Sequence, residues 1–365
     1  MTEQTPLGKL IRKEIEERGP IPFRRFMELA LYHPELGYYA TGKNRVGREG
    51  DFITNVSVGS LFGRLLAHDF VRAWEGMGRP DPFDLVEIGA NHGQLFADVA
   101  NAIAQIDPEL FSITRFKIIE PFPKLREIQK NHLLKQRTTI HEPRMDWHAN
   151  LQELPDASIS GVIWSNELFD ALPIHRVKKF PHGWAEVYVT HGPEEGFDWS
   201  IGKTTYDSAD APAGFPAWSD LPDGYTTELW PHAGFWAGEL ARVLARGRIV
   251  TIDYGFPASE LYASHRKEGT LQAYHQHKSV SNILKRAGDQ DITAHVNFTA
   301  LIQAGKSAGL SEKSFTTQER FLMETLKTMP PDDLARWSAS EKKQFNTLVH
   351  PDMLGHMFKV LVQEK

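Results

Sequence analysis

Glu87, Gly89, Asn91 and Gly93 stand together in Val86-Glu87-Ile88-Gly89-Ala90-Asn91-His92-Gly93, where an apolar run gives way to a glycine-spaced turn. Glycines at that spacing let backbone approach a ligand and open a helix whose first N–H groups are unpaired. Asn91 holds the middle position; asparagine enters the left-handed region more readily than other non-glycine residues, so the turn can form. The same motif also describes a tight strand-to-helix turn that binds nothing. Glu120 follows the next apolar stretch, placed to accept hydrogen bonds from both hydroxyls of a ribose. Asp146-Trp147 is expected where a third strand ends, which puts a carboxylate near an adenine amino group with an aromatic beside it. Ser165-Asn166-Glu167-Leu168-Phe169-Asp170-Ala171-Leu172-Pro173 follows a fourth. Glu167 and Asp170 are three apart, so a helical turn would point both carboxylates the same way beside Asn166, a clamp for a guanidinium or amine. A helix N-terminus with acidic first-turn residues is the plainer alternative.

These groups need a scaffold, and from Phe83 onward strand and helix patterns alternate. Asp84–Ile88 and Arg115–Ile119 read as strands, with helices over Gln94–Ile106 and Pro123–Lys135. Gly161–Ser165 and Arg248–Tyr254 read as buried central strands four and five. Such alternation implies an α/β fold with a doubly wound, mostly parallel sheet, and ligands settle at the C-terminal ends of its strands. Residues 174–231 read as an insertion over the sheet edge, with a hairpin from Val177 to Val189 around Pro181-His182-Gly183. Residues 1–80 read as a helical and loop region covering the site, with helices between Thr5-Pro6 and Gly19-Pro20 and over Phe23–Tyr32. The glycine-rich stretch Gly37–Asn55 is long enough to be functional, and Asp51 and Thr54 in it are candidates to close over a ligand. The main domain is expected over 81–330. His295–Ala308 reads as helical, Ser314 onward as extended then helical, and 331–365 as a helical tail.

Composition narrows the function. Hydrophobic residues make up 41% and charged residues 24% of the 365, ordinary values for a globular chain. The net charge is -6, with no basic block interleaved with aromatics, so nucleic acid is not an expected partner. No apolar run is long enough for a spanning helix. The chain has no cysteine, which excludes thiolate chemistry and suits a reducing compartment; residues 1–19 show neither a secretory apolar core nor the acid-poor character of a transit peptide, and the cytoplasm is the expected location. The 16 histidines, His275, His277 and His295 among them, invite a metal reading, but no acidic residue completes a ligand set, so none is expected. The tryptophans around the insertion are expected mainly to pack.

Two adenosine cofactors compete for the crevice. A dinucleotide normally brings the fuller G-x-G-x-x-G pattern, whereas Glu87 at the strand end would repel a pyrophosphate and suit a cationic sulfonium with its amino group. S-adenosyl-L-methionine is therefore the expected cofactor, held by Glu87, Gly89, Asn91, Gly93, Glu120, Asp146, Trp147, Asp51 and Thr54. A nicotinamide-dependent oxidoreductase is the rival, and a binding or assembly factor with a weakened site is a second.

The whole set of motifs resembles the MidA family, bacterial relatives of the mitochondrial complex I assembly factor that is a protein arginine methyltransferase. The resemblance runs over about residues 6 to 325. It is carried by Pro22-Phe23-Arg24-Arg25-Phe26-Met27, Tyr32-His33-Pro34-Glu35-Leu36-Gly37-Tyr38-Tyr39, Gly50-Asp51-Phe52-Ile53-Thr54, the glycine turn and Asn166–Pro173. Ile252-Asp253-Tyr254-Gly255, Gly269–His277 and Asp291–Phe298 extend it. It implies a class I, Rossmann-like methyltransferase acting on an arginine nitrogen of a protein, a respiratory-complex subunit being the implied acceptor. Asn166, Glu167 and Asp170 are then the expected catalytic residues. Asn91 and Asn55 depart from the family's usual glycine and serine. Oligomeric state stays open, a homodimer being one arrangement.

Overall fold

The computed structural model describes residues 5–42, 54–135, 145–206, 211–275 and 278–365. Its centre is an eight-stranded sheet, whose seven principal strands we number in chain order. They are β1 (Phe83–Ile88), β2 (Thr114–Ile119), β3 (Met145–His148), β4 (Ile159–Asn166), β5 (Leu244–Phe256), β6 (Ser311–Thr317) and β7 (Phe358–Glu364). Across the sheet they run β6-β7-β5-β4-β1-β2-β3. β1 pairs in parallel with β2 and β4, β4 with β5, and β2 with β3; β7 alone runs antiparallel, between β5 and β6. All six residues of β1 are buried, as a parallel strand covered on both faces requires. The strand order reverses between β1 and β4, so the crevice expected to take a ligand lies beyond Ile88 and Asn166.

Helices cover both faces. On one, α4 (Leu61–Gly76) and α5 (Gln94–Ile106) share a core with Phe70, Phe96, Phe116 and Trp164, which the C-terminal helices Gln318–Thr328 and Ala339–Val349 extend. On the other, Ala233–Val243 packs over Val86, Ile163 and Ile249. A third core joins α1 (Pro6–Arg18) and α2 (Phe23–Tyr32) to the 174–231 segment and the helix Phe298–Ser307.

Several expectations change in detail. The region 1–80 does not act only as a cover, since α4 belongs to the helical layer of the central sheet. The expected hairpin is present as His175–Phe180 and Gly183–His191. Its sheet, completed by Phe197–Gly202 and Thr226–Leu229, pairs with Ile21–Pro22 and packs on α2; it does not sit on the edge strands β3 or β6. The tail 331–365 is not helical throughout. It ends in β7, whose Phe358, Val360, Leu361 and Val362 are buried. A second elaboration, which the sequence pattern did not reveal, is a three-stranded sheet of Gln272–His275, Lys278–Ser279 and Asp291–Thr293. The helix expected from His295 starts at Phe298, because Val296–Asn297 first pairs with the end of β5 and Asn297 then caps Ala300 N–H.

Candidate active site

β1 hands over to α5 through a turn that uses the left-handed region three times, with φ of +72° at Gly89, +48° at Asn91 and +82° at Gly93. Asn91 therefore adopts the conformation the turn demands, without the glycine usual there. A Cβ on Gly89 would lie 2.9 Å from Leu168 Cδ1, a side-chain tip that can give, so it is the positive φ that calls for glycine here. Gly93 acts behind this surface: it heads α5 and backs on Gln129.

The turn, the ends of β1, β2 and β4, the N-terminal tyrosines and the three-stranded sheet enclose a cavity of about 260 Å³. Thr54, Glu87, Gly89, Asn91, Glu120, Asn166, Glu167 and Asp170, all singled out from sequence, line it. Asp51 lies outside the described residues. Asp146 and Trp147, of which an adenine role was expected, are not among the residues that line the cavity. β3 runs on to His148, so Asp146 falls mid-strand and is exposed. Trp147 turns its indole N–H to Gln129 Oε1 at 3.0 Å and lies under Lys130.

Gln129, which sequence reasoning missed, ties this end together. Fully buried, it donates from Nε2 to the Asn91 carbonyl at 2.8 Å and to Glu120 Oε2 at 3.2 Å while accepting from Trp147. Glu120 Oε1 accepts from Phe122 N–H. Burial nevertheless pushes the Glu120 carboxyl up to about 7. Glu87, paired across the strands with Trp164, is pushed up to about 8 by burial, a shift that the nearby Trp164 indole N–H eases in part. A buried carboxylate of this kind costs free energy until further donors or a cation reach it.

At the other end the Glu167–Asp170 pair reaches the cavity, though not by the expected helical turn. Glu167 has φ +53°, a conformation that costs a non-glycine residue about 1–3 kcal/mol and persists only where its surroundings impose it. Asp253, fully buried at the end of β5, imposes it. Its Oδ2 accepts from Leu168 N–H at 3.1 Å and Phe169 N–H at 2.8 Å, and its Oδ1 from Tyr254 N–H. Glu167 N–H donates to the Ile252 carbonyl. Asn166 donates to Glu167 Oε1 at 2.9 Å and accepts from Asn55 Nδ2 at 3.0 Å, so buried Asn55 braces the loop from the first residue of α3 (Asn55–Val58). Burial pushes Glu167 up to about 8 and Asp253 to about 7. Asp170 also rises, through burial and the repulsion of Asp253, Glu167 and Asp291. Asp253 could have been found by the signal that found Glu120, an acid at the end of a buried strand. Tyr32 donates to the Ala171 carbonyl and Tyr39 to Asp291 Oδ1, closing the cavity from the N-terminal side.

No group of three metal-binding side chains occurs among the described residues; His277 lies outside them, and His275 Nδ1 lies 2.8 Å from the Asp289 carbonyl. The site is thus a glycine turn with acids at two strand ends, joined to a carboxylate-lined end. This arrangement, on a sheet with one antiparallel strand, defines a Rossmann-like methyltransferase.

Comparison with known proteins agrees. The family model described as S-adenosyl-L-methionine-dependent methyltransferase matches residues 65–316. The chain is 29% identical over 318 residues to rat protein arginine methyltransferase NDUFAF7, mitochondrial, covering 81% of this chain and 69% of the relative. The bovine protein of that name is 27% identical over 98% of this chain and 83% of its own length. A crystal structure from Burkholderia thailandensis, bound to S-adenosyl-homocysteine, superposes with a TM-score of 0.85 at 30% identity, covering 98% of this chain and 92% of that one. The protein belongs to this family of S-adenosyl-L-methionine-dependent methyltransferases, the MidA-like group, and the nicotinamide alternative is not favoured.

Proposed function

We propose that the chain transfers the methyl group of S-adenosyl-L-methionine to a guanidino nitrogen of an arginine in a protein. The observation that carries this reading is the acceptor end itself: Glu167 and Asp170 reach one cavity wall from a loop strained into place by Asp253. Carboxylates packed this closely repel one another and hold their protons, and a guanidinium is the planar, bidentate cation that relieves them. The names of the rat and bovine relatives support arginine as the acceptor.

The donor fits the opposite end. The buried carboxyl of Glu87 suits its ammonium, the Gly89 backbone lines the cavity beside it, and Glu120 would receive the ribose hydroxyls. When bound, the donor supplies a methyl on a positively charged sulfur, which needs no strong base to leave. The protein's part is alignment and a proton sink. Asn166 fixes Glu167 Oε1, and Asp253 fixes the loop, so that two carboxylates orient the guanidinium. Ligand-free, Glu167 is held protonated by burial; once the guanidinium has displaced that proton to solvent, the Glu167 carboxylate can accept the proton the methylated nitrogen releases. The acceptor as a respiratory-complex subunit, and the reducing cytoplasm as the location of a cysteine-free chain, are narrower parts of the same proposal.

The test is transfer from isotopically labelled donor to lysate proteins, with one portion treated with alkali to release ester label as methanol and another hydrolysed in acid for amino-acid analysis. Label recovered in methylarginine supports the reading. Label in methyl-lysine or in base-labile esters alone refutes it.

A further inference from the structure

The acceptor end has a third acidic wall that neither the glycine turn nor the Asn166–Pro173 loop supplies. Asp291–Thr293 pairs antiparallel with Gln272–His275, with Tyr274 opposite Asp291, Ala273 opposite Ile292 and Gln272 opposite Thr293. Side chains alternate across a sheet, and this one sorts cleanly. Ala273 and Ile292 are fully buried in the core shared with α1 and α2, whereas Gln272, Tyr274, Asp291 and Thr293 line the cavity. Two contacts fix the sheet's height above the catalytic loop. Ala294 N–H donates to the Asp170 carbonyl at 2.8 Å, and the Tyr39 hydroxyl donates to Asp291 Oδ1 at 2.9 Å. The sheet is thus locked to the loop bearing Asp170 and to the N-terminal segment bearing Tyr39, and it brings Asp291 opposite Glu167 and Asp170.

We propose that Asp291 is the specificity-determining residue of the acceptor end, selecting a cationic guanidinium over an uncharged side chain of the same shape. The proposal deepens the arginine reading and rests on it. A second feature of this end suits a polar ligand. His295 lines the cavity with its Nδ1 shut from solvent and without a hydrogen-bond partner among the described residues, and burial keeps the ring neutral at physiological pH, its pKa near 4. A guanidinium offers five N–H donors in a fixed fork, enough to meet Glu167, Asp170 and Asp291 from different directions. Asp291 also adds to the repulsion that raises Asp170 and Glu167, a strain an uncharged occupant would leave in place.

The experiment uses the full chain saturated with S-adenosyl-homocysteine and two probes at millimolar concentration, N-acetyl-arginine amide and the uncharged N-acetyl-citrulline amide, with binding read by NMR. The wild-type chain is expected to prefer arginine, and Asp291→Asn, which keeps an oxygen for the Tyr39 hydroxyl, to lower that preference by about tenfold. S-adenosyl-homocysteine affinity should stay unchanged, and the melting temperature should not fall. An Asp291→Asn chain that binds the donor product normally and keeps the wild-type preference overturns the inference while leaving the arginine reading intact. A wild-type chain that does not favour arginine overturns the arginine reading, and this inference with it. Should Asp291→Asn fail to hold S-adenosyl-homocysteine, Tyr39→Phe removes only the hydroxyl that orients Asp291. It should lower the preference severalfold, and an unchanged preference there again overturns the proposal.

Discussion

Glu120→Gln offers a prediction whose size and pH dependence both follow from the structure. The carboxylate is 3% exposed, receives Phe122 N–H and Gln129 Nε2, and still titrates near 7 because burial outweighs those two donors. Two ribose hydroxyls would add donors to the charged form, so the ligand binds the ionised carboxylate and drives off its proton. Hydrogen bonds to a charged group exceed neutral ones by about 1 kcal/mol each, so the amide should cost about 2 kcal/mol, roughly 30-fold in affinity at pH 8. At pH 6 only about a tenth of the wild-type Glu120 is ionised, and the wild-type chain must first lose a proton. The penalty of the variant should therefore shrink to about threefold. Calorimetric titration of both chains with S-adenosyl-homocysteine at pH 6 and pH 8 measures the ratio, and contributions from other acids common to both chains divide out. Equal penalties at the two pH values, or none at pH 8, would refute the reasoning.

Two further outcomes follow. Glu87 titrates near 8 in the fold against 4.5 for the free side chain, so its contribution to stability is full below about pH 4.5 and is lost as pH rises through 8. Glu87→Gln should thus raise the melting temperature of the ligand-free chain at pH 8, leave it nearly unchanged at pH 4.5, and weaken S-adenosylmethionine binding; a variant less stable at pH 8 contradicts the assignment. Truncation before Phe358 removes four buried apolar side chains from the middle of the sheet, worth about 1.5–3 kcal/mol each, which together rival the stability of a whole domain. The shortened chain should lack a cooperative thermal transition by circular dichroism, and retention of one would falsify the placement of β7.

Much of the donor end was legible in the sequence because each element there announces itself locally. β1, β2, β4 and β5 are apolar runs ended by turns, Glu120 follows its strand directly, and Asn91 is a residue type that tolerates the left-handed turn it makes. What was hidden depends on distant partners. Phe358–Glu364 is a short apolar run that periodicity cannot assign to helix or strand, and its partner β5 lies more than a hundred residues earlier. The strand β3 is only half buried, so its pattern does not show that it runs to His148 and leaves Asp146 outside. Glu167 and Asp170 were found for a wrong local reason, helical spacing. The loop is instead wound around the Asp253 carboxylate, a contact across 84 residues of chain. Gln129 and Asp291 act through hydrogen bonds to Glu120 and Tyr39 that no spacing rule encodes.

The central claim is that one cavity holds the methyl donor at the Gly89 turn and presents its methyl to Glu167 and Asp170. A crystal structure of the full chain with S-adenosyl-homocysteine tests it most directly. The account predicts the ribose hydroxyls on Glu120, the amino group near Glu87, and the sulfur facing the Glu167–Asp170 loop. A nucleoside bound with its ribose away from Glu120, or a sulfur directed away from that loop, would contradict it.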